Sequence, residues 1–171
     1  RAHIIDETVT TDTTSATTTS GAALIMSPTK AGAEFQVNTY TNSSQNEPVL
    51  TKLSNGGFVV SWNSYGQDGS NYAVQAQMYD RWGNTVGSEF RVNSHTANDQ
   101  SAPSITSLND GGFVVIYHSN GSSADGDSYG VYGQRYDASG STVGSEFLVN
   151  SYTSGYQTYP SVTPLSGGGF V

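Results

Sequence analysis

Two polar loops carry the residues best suited to hold a cation. One is Ser64-Tyr65-Gly66-Gln67-Asp68-Gly69-Ser70, and the other, longer, is Asn120-Gly121-Ser122-Ser123-Ala124-Asp125-Gly126-Asp127-Ser128. A hard cation such as calcium takes several oxygen ligands from a flexible loop. Asp68, Asp125 and Asp127, with neighbouring hydroxyls and carbonyls, are the candidates to supply them. The longer loop is favoured because it holds two carboxylates. Asp-Gly is also ordinary turn chemistry, so each of these aspartates has a structural explanation beside the cationic one.

Tyrosine is the second chemically suggestive residue. It occurs 11 times, often in polar stretches, as at Tyr40, Tyr65, Tyr72, Tyr129, Tyr152, Tyr156 and Tyr159. Exposed aromatic faces beside amides and carboxylates suit a glycan, whose ring stacks while polar groups take its hydroxyls, and Tyr65, Tyr72 and Tyr129 are the candidate ligand-binding residues. The competing explanation is packing between structural units with the hydroxyl at the rim.

Other chemistries find little support. Cysteine is absent, which removes disulfides and thiolate metal sites. His3, His95 and His118 fall in unrelated places, so neither a catalytic triad nor a zinc site is indicated. Glycoside cleavage needs two carboxylates in one pocket, whereas Glu34, Glu89 and Glu146 each precede a Phe at the same place in a repeat, the pattern of a structural hydrogen bond. No enzyme is expected. Six Lys and Arg against 14 Asp and Glu, a net charge of -8, argue against a nucleic-acid partner. The longest apolar run, Ala22 to Met26, is far short of the ~20 residues that cross a bilayer as a helix.

What must position these residues is a repeat. Asn55-Gly56-Gly57-Phe58-Val59-Val60-Ser61-Trp62 returns as Asp110-Gly111-Gly112-Phe113-Val114-Val115-Ile116-Tyr117 and begins again at Gly168-Gly169-Phe170-Val171. Tandem copies of this kind mean an array of supersecondary units. Glu34-Phe35-Gln36-Val37-Asn38 alternates as a half-buried strand does and recurs at Glu89–Asn93 and Glu146–Asn150. A polar loop follows each time and ends at Pro48, Pro103 or Pro160, which is expected to open the next strand. Asn55-Gly56 and Asp110-Gly111 provide hairpin turns, and the consecutive apolar residues after Phe58 suggest a strand buried on both faces. Strands over Val74–Asp80 and Val131–Asp137 lead through the turns at Asp80–Asn84 and Asp137–Ser141 into the Glu-Phe strand.

Each unit therefore has four antiparallel strands, the fold class is all-β, and tandem four-stranded blades point to a β-propeller-type array, with a β-sandwich as the alternative. The units are expected at about 33–93 and 94–150, with a partial one at 151–171. Residues 1–32 differ: Thr8 to Ser20 is nearly all Thr and Ser and reads as an arm or linker, flanked by His3-Ile4-Ile5 and Ala22–Met26, which suit added edge strands. With Arg1 at its start and no charged-then-apolar leader, the sequence is expected to be a processed or trimmed chain.

The repeat wording resembles a known group. Gly-Gly-Phe-Val-Val-x-Trp-x-Ser-Tyr-Gly-Gln-Asp-Gly-Ser, then Ala-Gln-x-Tyr-Asp, then Gly-Asn-x-Val-Gly-x-Glu-Phe-x-Val-Asn, carried most fully by residues 56–70, 76–80 and 83–93, is similar to tandem repeats of large secreted bacterial proteins of the RTX and adhesin type. The resemblance covers about 33–171. It implies propeller-like blades, a secreted or cell-surface setting in bacteria, and often bound calcium. The expected role is non-catalytic, in adhesion, surface or matrix structure, or assembly. The Gly-Gly-x-Gly-x-Asp nonapeptide of RTX toxins is absent. Expected partners are other protein chains or further copies, paired through exposed blade edges, with glycans as the alternative.

Overall fold

The strands lie where the turn residues allow. A computed structural model describes residues 33–121 and 129–171, and its ordered elements are eight strands: β1 (Gln45–Lys52), β2 (Phe58–Tyr65), β3 (Tyr72–Tyr79), β4 (Thr85–Arg91), β5 (Gln100–Ser107), β6 (Phe113–Asn120), β7 (Tyr129–Tyr136) and β8 (Thr142–Leu148). They form two four-stranded antiparallel sheets, β1-β2-β3-β4 and β5-β6-β7-β8. Residues 38–171 make one compact unit. Among the described residues no helix is long and apolar enough to cross a membrane. The Thr-rich arm and its two apolar flanks lie outside the described residues.

The two glycines of each Gly-Gly-Phe turn are needed for different reasons. Gly56 and Gly111 sit at φ of 88° and 89°, a region that L side chains avoid. Gly57 and Gly112 are needed for space: a Cβ there would stand 2.3 Å from the Tyr79 carbonyl oxygen and 2.2 Å from that of Tyr136. The residue before them closes the turn, as the Gly57 N–H donates to Asn55 Oδ1 (2.9 Å) and the Gly112 N–H to Asp110 Oδ1 (3.0 Å). At the β3–β4 and β7–β8 connections Asp80 and Asp137 do the same work. Asp80 Oδ1 accepts the N–H groups of Trp82 and Asn84, and Asp137 Oδ1 those of Ser139 and Ser141, all between 2.8 and 2.9 Å.

The prolines do not open strands as the sequence suggests. β1 and β5 begin upstream of Pro48 and Pro103, and the register slips between Asn46 and Val49 and between Ser101 and Ser104. A bulge lets the ladder skip a residue that has no N–H to give. The residue before each proline takes a left-handed backbone: Glu47 at φ 51°, Ala102 at 52°, and Tyr159, before Pro160, at 53°. Such non-glycine conformations cost on the order of 1–3 kcal/mol and persist only where surrounding structure enforces them. A second difference is at Glu34–Asn38. Its alternation suits a strand, but residues 34–38 do not form one.

Packing follows from the pleat. β2 and β6 are buried at consecutive positions, hence on both faces. Leu53, Val59, Val74, Ala76, Met78 and Val92 from the first sheet meet Phe113, Val115, Tyr117, Tyr132 and Tyr136 from the second in one core. The alternate residues of β6, Val114 and Ile116, enter a second core on the opposite face, with Leu108 and the partly buried Val131, Phe147, Val162 and Phe170. The second sheet is thus apolar on both sides. On its far side lies a short hairpin, in which Thr163 and Val171 exchange both backbone hydrogen bonds (2.9 and 3.0 Å).

Candidate functional site

The polar residues gather where one unit meets the next, and the same construction appears more than once. Thr39 donates its N–H and its hydroxyl to Glu89 Oε2 (2.7 and 2.9 Å). One repeat on, Ser94 donates its N–H to Glu146 Oε2 (2.8 Å) and its hydroxyl to Oε1 (3.0 Å). Each glutamate accepts one further donor from its own unit, Gln67 Nε2 to Glu89 (2.6 Å) and the Tyr117 hydroxyl to Glu146. The recurring glutamates are therefore structural acceptors. Burial and these carboxylates hold the nearby phenols in the neutral form: the Tyr79 hydroxyl is pushed up to about 12, and those of Tyr117 and Tyr136 are raised as well.

An asparagine and a glutamine seven positions later close each inter-unit loop. Asn93 Nδ2 donates to the His95 carbonyl (2.6 Å) and to Gln100 Oε1 (3.2 Å), while Gln100 Nε2 donates to the Ala97 carbonyl (2.7 Å). Asn38 with Gln45, and Asn150 with Gln157, repeat the arrangement. Asn93 Oδ1 accepts from the Val74 N–H (2.8 Å) and Asn150 Oδ1 from the Val131 N–H (2.7 Å), which ties the outgoing loop to the start of the third strand. In the sequence the three asparagines stand only as strand ends and the glutamines only as loop residues. Their signal was the fixed Asn-to-Gln spacing in three copies, easily mistaken for loop polarity.

A third device spans two bulges. Asn63 Nδ2 donates to Asn46 Oδ1 (3.1 Å) and Glu47 Oε2 (3.0 Å), and its Oδ1 accepts the Ala102 N–H (3.1 Å) from the next unit. The second copy has His118 in this place. Its Nδ1 accepts the Tyr159 N–H (3.3 Å), so the neutral ring carries its proton on Nε2 and donates to Ser101 Oγ (2.8 Å). Burial lowers the His118 pKa below 6.5, partly opposed by the Glu47 and Asp99 carboxylates.

The candidate residues from the sequence are distributed among these features. Asp68 Oδ1 accepts the Ser70 N–H (3.2 Å), so turn chemistry is present. Its other oxygen, Oδ2, and Gln67 Oε1 of the preceding residue are buried acceptors with no donor among the described residues. Among the described residues no cluster of three or more His, Cys, Asp or Glu is placed to hold a metal ion. Asp125 and Asp127 lie outside the described residues. Tyr65 and Tyr72 stand opposite each other on β2 and β3 and meet edge to face, with centroids 5.1 Å apart. Tyr129 does not join them but packs edge-on to His118 (5.3 Å) and beside Tyr156 (5.5 Å).

Comparison with protein-family models, with curated proteins and with solved structures finds no match to this chain.

Proposed function

We propose that this protein is a non-catalytic, extracellular repeat module of β-propeller type, working in adhesion, surface or matrix structure, or assembly with other chains of a bacterial surface or secreted protein. The observation that carries this reading is the unit-to-unit junction. The Glu–Thr/Ser latch and the Asn–Gln loop lock are built from residues at matching places in the repeat, so any further unit of the same pattern is equipped to join. A second sheet that is apolar on both faces also favours stacked blades over a two-sheet sandwich, whose outer faces meet water.

The surface suits self-association. Val92 is 5% exposed and Leu108 7%, yet their counterparts Val149 and Leu165 are 50% and 45% exposed. The same apolar positions are covered where a further unit packs on them, so they suit pairing with another repeat unit, such as one of a second copy. Calcium would enter through the loop at Asp68, where Asp68 Oδ2 and Gln67 Oε1 supply oxygen ligands that no protein donor takes.

The test is the absolute mass in solution by light scattering, in calcium and again in chelator. A defined oligomer is the expected result, and loss of that oligomer in chelator and in Asp68→Asn would support the calcium part. A monomer at every concentration refutes self-association, and an oligomer indifferent to chelator refutes the calcium role alone.

A further inference from the structure

Repeats make an internal comparison possible. At four equivalent positions the first junction has Asn63, Tyr72, Asp99 and Ala102, and the second has His118, Tyr129, Tyr156 and Tyr159. The first set already builds a complete junction, with Asn63 bonded to both bulges and Asp99 Oδ1 accepting the Tyr72 N–H (3.3 Å). Rings at the His118, Tyr156 and Tyr159 positions are therefore not needed to hold units together. Their presence in one junction calls for another role.

The rings form a continuous cluster. His118 stands edge-on to Tyr129 (5.3 Å) and to Tyr159 (5.5 Å), and Tyr129 lies beside Tyr156 (5.5 Å). The base is fixed. His118 is held at both nitrogens, and the Gln157 N–H donates to the Tyr129 carbonyl (3.0 Å) across the Tyr129–Tyr156 bridge. The top is open, with Tyr156 73% and Tyr159 77% exposed, and Tyr159 has a left-handed backbone (φ 53°).

We propose that the His118–Tyr129–Tyr156–Tyr159 cluster is a binding site for a neutral saccharide, whose pyranose ring stacks on the exposed tyrosines while phenol hydroxyls bond its own hydroxyls. A sugar has an apolar C–H face and a polar rim, matching an open platform of tyrosines, each an aromatic face with a hydroxyl. A quaternary ammonium ligand also likes aromatic rings. It gains most where several rings enclose and desolvate it, which rings this exposed do not do. The site differs from the Tyr65–Tyr72 pair, which lies in the other unit and has no third ring.

The experiment titrates the whole chain with cellohexaose, chitohexaose and maltohexaose, and separately with choline, following tyrosine fluorescence and backbone amide shifts. At least one saccharide is expected to saturate and to move the amides of Tyr156 and Tyr159. Tyr156→Ala and Tyr159→Ala, both at exposed side chains, are expected to bind about tenfold more weakly, the scale of one lost aromatic contact, while Tyr65→Ala binds as the parent does. No saturation by any of the three sugars up to about 10 mM overturns the proposal, as association weaker than that defines no site. So does saturation by choline alone, or a loss on Tyr65→Ala equal to that on Tyr156→Ala.

Discussion

Asn93→Ala is the most informative single change, because the same residue occurs again at Asn150 in a more open setting. Asn93 is 2% exposed and Gln100 is fully buried, whereas Asn150 is partly exposed. Truncation at Asn93 strands the Val74 N–H, the His95 carbonyl and Gln100 Oε1 together. An unsatisfied buried group costs about 1–3 kcal/mol, and with some relaxation toward water at the His95 carbonyl the sum is roughly 3–5 kcal/mol. At Asn150 water reaches the equivalent groups, so Asn150→Ala is expected to cost only about 1 kcal/mol. Equilibrium urea unfolding reads both, the comparison being valid where the slope with denaturant is unchanged. Asn93→Asp sharpens the test: it keeps the acceptor for Val74 but loses both donors and buries a charge, so its deficit should shrink in acid as the carboxyl is protonated. Equal losses at Asn93 and Asn150, or a loss below about 1 kcal/mol at Asn93, would refute the account of the lock as a buried, fully satisfied network.

Three further outcomes follow from the same geometry. His118 has a lowered folded pKa, so the unfolded chain takes up its proton first as pH falls through 6.5, and stability present above that value is lost below it. His118→Asn, which restores the side chain of the first copy with an acceptor for Tyr159 and a donor for Ser101, should flatten that loss between about pH 7 and 5 in thermal melts; an unchanged pH slope argues against it. Gly133→Ala should destabilise by about 1–3 kcal/mol through overpacking, because its Cβ would stand 2.5 Å from Ile116 Cδ1 and 2.6 Å from Phe147 Cζ. Ile116→Val removes the Cδ1 atom in the way, so a double-mutant cycle with Gly133→Ala should give a favourable coupling in urea unfolding. At alkaline pH the raised pKa values of Tyr79, Tyr117 and Tyr136 mean that unfolded tyrosines ionise first. Stability should then fall as pH rises above 10, and tyrosinate absorbance should show these three titrating only with unfolding.

The period, the strand count and the turns were legible in the sequence because they rest on local chemistry. Asn55-Gly56 and Asp110-Gly111 can only be tight turns, Asp80 and Asp137 bond backbone two and four residues on, and Phe58-Val59-Val60 is apolar at consecutive positions because both faces are covered. Repetition alone also marked Glu89 and Glu146 as structural. Tyr65 and Tyr72 meet because one hairpin places them opposite each other, which adjacency in the chain nearly dictates. What the tertiary structure decided is whatever crosses a junction. Pro48 and Pro103 fall in bulges rather than at strand starts, because their neighbours Glu47 and Ala102 are held in a left-handed conformation by the surrounding sheet. Asn93 and Gln100 look like loop polarity until packing buries them and makes their hydrogen bonds obligatory. His118, Tyr129, Tyr156 and Tyr159 are scattered among polar loops, and only the docking of successive units brings the four rings together, since no local rule of spacing can specify a contact that depends on how two sheets pack.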